Sequence, residues 1–330
     1  MPGDLGWRCV VAAHHADGRA VFESDADLRV LEAGAATRLG RLFSIPGPPT
    51  SVDDGMVDSA GTETGPGSVS VDALIVEPTQ KGLIDSDACS PGSFEAYIVV
   101  RGQVHVAVGS DEAVLLPGEV FLPRGRPYGL RVSDSRETRL VRVRCAVDPS
   151  ADVAVPTTVH SSSGPPRRIR RVVAGTDAAG HPVIEQDGDP AVMFVMGEES
   201  DPDVGLVDVW ELGGPVGSVE QGGDTSDPWE LEPRASGMKI LNLEMKPVED
   251  DGSPITKGGW HATATIDVDI VIAGSIEMCL PDLPPVTLRP GDTLIQRGTN
   301  HLWRVVGDRS LRMVTVMLGV GPRPLPGATP

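Results

Sequence analysis

His261 is followed at every second position by Thr263, Thr265, Asp267 and Asp269, within GGWHATATIDVDIVIAG at 258–274. In an extended strand, successive side chains alternate between faces. These five therefore share one side, while Ala262, Ala264, Ile266, Val268 and Ile270 share the other. The apolar row is the side that packs against protein. The polar row either meets bulk water or lines a wet cavity. In a cavity, imidazole and carboxyl groups are the side chains that bind metal ions or pass protons. A second imidazole, His301, lies in PGDTLIQRGTNHLW at 290–303. Trp303 shares its strand face and could stack on a flat substrate, whereas Trp260 points away from the His261 row, toward packing.

The elements that must position these groups read as short strands. Glycine and proline are abundant, at 39 and 30 residues, and aromatics make up only 4% of the chain. No segment shows a helical period with caps at both ends, so an all-β fold is expected. A chain of 330 residues holds one large or two ordinary domains. The formal net charge of −19 argues against nucleic-acid binding, since phosphates would repel it. No apolar run approaches a bilayer span, and MPGDLGWR does not read as a secretory signal, so a cytoplasmic protein with no membrane partner is expected. Cys9, Cys89, Cys145 and Cys279 are scattered and form no CxxC pair, which fits reduced thiols.

The chain repeats itself. RCVVAAHHADGRAVFE at 8–23 reads without a gap against RRVVAGTDAAGHPVIE at 170–185. YIVVRGQVHVAV and its continuation at 97–132 parallel DIVIAGSIEMCL and its continuation at 269–305. The pairs Pro117-Gly118 and Pro290-Gly291 each precede a matching glycine, Gly125 and Gly298. Turn glycines at fixed places between short strands are what a duplicated β domain leaves. The expected division is an N-terminal domain at 1–150, a Pro/Ser/Ala-rich linker at 151–166 and a C-terminal domain at 167–330. The insertion at 222–237, GGDTSDPWELEPRASG, reads as a surface loop, with a flap over a cavity mouth as the alternative.

On these motifs the chain resembles the cupin superfamily. Each half is similar to the short single-domain conserved-barrel proteins, which carry a VVxGxDxxGxxVF-type strand and a PGD…QRGTNHxWR motif. The resemblance implies two tandem jelly-roll barrels, a bicupin. It also implies a ligand set for a divalent metal: His261 in the first histidine place, Asp267 in the acid place and His301 in the last histidine place. Thr263 stands where a second histidine would be, and Asp267 is one methylene shorter than the usual glutamate. Two histidines and a carboxylate with open positions suit non-haem Fe2+ first, with Zn2+ or Mn2+ as alternatives. In the N-terminal half, Cys89, Pro91, Glu95 and Tyr128 occupy the corresponding places, so no metal is expected there.

The resemblance extends to oxidative tailoring of polyketide-like aromatics in fungal relatives. It therefore implies a metal-dependent oxidoreductase of dioxygenase type, acting on a small oxygenated or aromatic metabolite in the C-terminal barrel. Asp267, His301 and Thr263 are the candidate catalytic residues, and Thr265 and Trp303 the candidate substrate contacts. Two alternatives stay open. One is a metal-free isomerase, cyclase or lyase in which Asp267, its pKa raised by burial, exchanges protons with His301. The other is a non-catalytic small-molecule-binding bicupin. A homodimer is a further option.

Overall fold

A computed structural model describes residues 4–33, 37–49, 51–55, 65–78, 83–84, 92–132, 137–148, 169–190, 193–198, 201–214, 216, 222–224, 229–247 and 259–320. Cys89, Pro91 and the linker at 151–166 lie outside them. Every regular element among the described residues is a β-strand, as the turn-rich, aromatic-poor composition implies. Two eight-stranded sheets dominate, each accompanied by a smaller sheet of four or three strands.

The two halves exchange their first hairpins. Asp4–His14 and Ala20–Arg29 belong by sequence to the first repeat, yet Asp4–His14 pairs in parallel with Thr293–Arg297 of the second, matching Cys9 to Thr293 and Ala12 to Gln296. In mirror fashion Arg171–Thr176 pairs in parallel with Val120–Leu122 of the first repeat. Both exchanges cover a strand that would otherwise be an open sheet edge. Trp7 reinforces the contact, because its indole N–H donates to Thr293 Oγ1 at 2.9 Å.

One apolar cluster joins the halves, drawing Val71, Phe94 and Ile98 from one large sheet and Ile240, Ile266 and Val268 from the other. The apolar row Ile266, Val268 and Ile270 is thus the shared core face, as the alternation predicts. The opposite face of each sheet looks into its own barrel. The N-terminal barrel is filled by side chains: Tyr97, Phe121 and Tyr128 pack ring against ring at 5.3–6.4 Å between centroids. Tyr128 sits where the repeat places His301, and its hydroxyl donates to Glu95 Oε2 at 3.1 Å. The repeated turns also keep their geometry. Gly118 and Gly291 have φ of +90° and +94°, and Gly125 and Gly298 +69° and +58°. These are left-handed values that L-residues with a Cβ disfavour. A Cβ on Gly298 would meet Val52 Cγ1 at 2.8 Å and Thr263 O at 2.9 Å.

Candidate functional site

The C-terminal barrel is not filled. It encloses a cavity of about 340 Å³. The period of two recurs on each wall: Leu241, Leu243 and Met245 from Met238–Met245, Met313, Thr315 and Met317 from Leu311–Gly319, and Asp267 and Asp269 from Thr265–Ala273. His261, Thr263, His301 and Trp303 complete the polar side. The polar row therefore lines a cavity rather than bulk water, and Thr263, Asp267, Asp269 and His301 are all buried.

A backbone bridge brings the two imidazoles together. His261 N donates to His301 O at 3.0 Å, and His301 N donates to His261 O at 2.8 Å. Residues paired this way project side chains to the same face, and the ring centroids stand 4.3 Å apart. Each ring is also oriented from behind, by the carbonyl two residues upstream. Nδ1 of His261 lies 3.1 Å from Gly259 O, and Nδ1 of His301 lies 2.9 Å from Thr299 O. A carbonyl oxygen only accepts, so His261 Nδ1 donates to Gly259 O, whereas His301 Nδ1 lies between an acceptor, Thr299 O, and a donor, Gln296 Nε2 at 2.9 Å, either of which can orient the ring. Gln296 buttresses the arrangement: its Nε2 donates to Thr299 O at 2.9 Å and its Oε1 accepts from Gly298 N at 2.8 Å. Trp303 stands edge-on to His301, with centroids 5.4 Å apart.

The acids form the other pole. Thr263 Oγ1 donates to Asp267 Oδ2 at 3.4 Å and accepts from Thr265 Oγ1 at 2.7 Å. Asp267 Oδ1 is buried with no hydrogen-bond partner. Thr315 Oγ1 bonds Asp269 Oδ1 at 2.7 Å. Burial pushes the Asp267 carboxyl well above the carboxylate range, and the charge of Asp269 pushes it further. Burial likewise raises Asp269, to about 7. Burial acts oppositely on His301, lowering it to about 3, with neighbouring His261 adding to the effect. The cavity thus holds an acid raised by burial at one pole and an imidazole lowered by burial at the other. None of the described residues lining it is a lysine or arginine.

The expected residues are distributed as follows. His261, Thr263, Asp267, His301 and Trp303 all line the one cavity. Thr265 does not: it is fully buried and its hydroxyl is spent on Thr263. Trp260, expected to pack, is half exposed. The metal set of His261, Asp267 and His301 is not assembled. Among the described residues no three His, Cys, Asp or Glu side chains stand close enough to share one ion. The short Asp267 side chain stays with the threonines of its own chain segment, so these residues do not fit a three-donor centre for Fe2+, Zn2+ or Mn2+. Asp269 and Gln296 were not among the candidates. The period-two row already placed Asp269 on the cavity face, whereas nothing in the sequence marked Gln296 beyond its place in the QRGTNH motif.

The insertion at 222–237 crosses this cavity in its described part. Trp229 Nε1 and Lys239 Nζ both donate to Asp208 Oδ2, at 2.9 and 3.0 Å, and Lys239 also bonds Glu230 O. Beyond that anchor Leu231 lines the cavity, and Glu232 accepts from Ala264 N at 3.1 Å.

No family model matches the chain. Forty-five residues are 42% identical to oryzines biosynthesis cluster protein J of Aspergillus oryzae, covering 14% of this chain and 25% of that one. Seventy-three residues are 33% identical to a cupin-domain-containing oxidoreductase of Neurospora crassa, covering 22% and 37%. The chain thus spans between a quarter and about two-fifths of the length of these curated relatives. Among solved structures, a cupin 2 conserved barrel domain protein from Leptotrichia buccalis superposes with a TM-score of 0.42 at 7% identity, over 87% of this chain and 91% of that one. With a duplicated strand-and-turn motif and a barrel built from each copy, the chain has an all-β, two-barrel fold, and its local sequence match is to a cupin-domain protein.

Proposed function

We propose that the C-terminal barrel catalyses proton transfer on a small uncharged molecule bearing a carbonyl oxygen, as in an isomerisation, cyclisation or elimination. The observation that carries this reading is the presence, inside one mostly apolar cavity, of a carboxyl, Asp267, that burial pushes toward its protonated form and an imidazole, His301, that burial pushes toward its neutral form. Asp267 would donate to the substrate oxygen through Oδ1, which has no hydrogen-bond partner among the described residues. His261 would take a proton from the adjacent carbon, with the His301 ring packed against it to hold its orientation. The resulting enol then collapses as the proton returns at another position or a leaving group departs. Two features favour an uncharged ligand. No lysine or arginine among the described residues lines the cavity to meet an anion, and burial raises both acids that would meet a cation. A volume of about 340 Å³ falls within the roughly 300–1,000 Å³ typical of ligand pockets. Leu231 and the anchored insertion would keep water out during reaction.

The test is deuterium incorporation. Uncharged aromatic and alicyclic ketones are incubated with the protein in D2O containing a metal chelator, and exchange at the carbon beside the carbonyl is followed by mass spectrometry. Exchange by the wild type but not by Asp267→Asn supports the reading. Exchange equal in the two proteins, or absent from both, sinks it. A second reading, an oxidoreductase, draws support from the local similarity to the Neurospora relative. Its mark would be oxygen uptake that disappears on chelation.

A further inference from the structure

The two imidazoles of the cavity rest on different partners. His261 Nδ1 donates to Gly259 O, so in its neutral form this ring leaves Nε2 bare. His301 Nδ1 has two neighbours, Thr299 O and Gln296 Nε2, each at 2.9 Å. Which of them sets the tautomer turns on the Gln296 amide, and that amide has one orientation. The backbone N–H of Gly298 can only donate, and it meets Oε1 at 2.8 Å, so Nε2 is the atom that faces Thr299 and His301. An amide nitrogen brings two hydrogens and accepts nothing. A proton on His301 Nδ1 would set two donors 2.9 Å apart, whereas a bare Nδ1 accepts one Gln296 hydrogen while Thr299 O accepts the other. Gln296 and Thr299 are wholly buried, where an unspent donor or acceptor is costly. The other repeat supplies a contrast within the same chain. Counting from the matched glycines, Pro123 stands where Gln296 does and Tyr128 where His301 does. Proline has no side-chain donor, and the Tyr128 phenol bonds Tyr97 and Glu95 instead. The buried amide accompanies the imidazole.

We infer that Gln296 is a positioning residue that keeps the His301 proton on Nε2, so that the two packed rings offer one ligand a donor and an acceptor side by side. Nε2–H of His301 donates to the carbonyl oxygen of the substrate, and the bare Nε2 of His261 meets the hydrogen on the carbon beside it. A carbonyl oxygen accepts two hydrogen bonds, so this donor adds to Asp267 and gains strength as charge develops on that oxygen. As His261 takes the proton, the carbon–hydrogen pair moves into the carbon–carbon bond and the carbonyl π pair moves onto oxygen. His301 holds that oxygen without changing its own protonation. The ligand assigned to this pair rests on the proton-transfer reading, but the tautomer is read with no ligand present.

The experiment uses full-length protein with isotope-labelled histidine nitrogens, in buffer containing a metal chelator. Two-bond proton–nitrogen correlation NMR shows which nitrogen of each ring carries the proton, and His261→Asn and His301→Asn assign the signals. The expected wild-type pattern is Nδ1–H on His261 and Nε2–H on His301. Gln296→Met keeps the side-chain length and removes the donor, leaving Thr299 O as the partner, so His301 should switch to Nδ1–H. With a ketone that the wild type exchanges, this variant should lose about a hundredfold in kcat with little change in KM, the size of one donor lost from a developing oxyanion. Nδ1–H on both wild-type rings, or an unswitched His301 in the variant, would overturn the inference. The wild-type spectrum decides the tautomer whether or not the variant folds. Expected tautomers in a wild type that exchanges no ketone would overturn the proton-transfer reading and leave the role of Gln296 standing.

Discussion

Asp269→Asn isolates the electrostatics on which the proposed chemistry depends. Asp269 is buried, and its carboxyl accepts from Thr315 Oγ1 through Oδ1, a bond an asparagine oxygen preserves. The folded protein holds the Asp269 proton up to about pH 7, whereas the unfolded chain releases it near pH 4. A carboxyl raised in this way contributes stability at acid pH, where both states are protonated, and loses it as pH rises toward the folded value. One pH unit in this window corresponds to about 1.4 kcal/mol. Between pH 5 and pH 8 the wild type should therefore lose about 3 kcal/mol that the asparagine variant keeps. Urea denaturation of both proteins at pH 5, 6, 7 and 8 measures the difference. Removing the Asp269 charge also relieves Asp267, so the variant's own decline with pH should shrink further. Parallel stability curves for the two proteins would refute the idea that burial keeps this pair protonated, and the acid role of Asp267 would go with it.

Other expectations follow from the same geometry. His301 is depressed to about 3, so the folded state refuses a proton that the unfolded chain takes below about pH 6.5. Stability is then lost as pH falls, and His301→Asn should remove about 3 kcal/mol of that loss between pH 7 and pH 4, read by the same denaturation series. Lys239→Met strands the buried Asp208 carboxylate and should destabilise by roughly 3–5 kcal/mol. Because Lys239 also holds Glu230 O, limited proteolysis within 229–237 should quicken in the same variant. Residues 167–330 produced alone lack the strand Asp4–His14 that covers Thr293–Arg297, and should aggregate through that open edge. Supplying residues 1–33 as a separate segment should restore a soluble complex, checked by size-exclusion chromatography.

Much of this protein was legible before any coordinates. Alternation at 261–270 separates a core face from a cavity face whatever the fold, because side chains on a strand have no third direction. The repeated Pro-Gly and glycine positions announce duplicated turns, because only glycine enters the left-handed region readily. Local pattern of this kind is carried by residues adjacent in the chain. What adjacency cannot carry is which strand lies beside which. The exchange of first hairpins needs parallel pairing between distant residues, Cys9 with Thr293 and Val120 with Arg171, and no periodicity records it. The meeting of His261 with His301 depends on one backbone bridge, and the orientation of each ring on groups placed by its turn. That Asp267 stays with Thr263 and does not join them at one ion is likewise a matter of tertiary placement. The sequence by itself determined which groups could face a cavity. Tertiary structure alone decided how much water they lost, and that loss of solvent gives the acids their protons and the imidazole its neutrality.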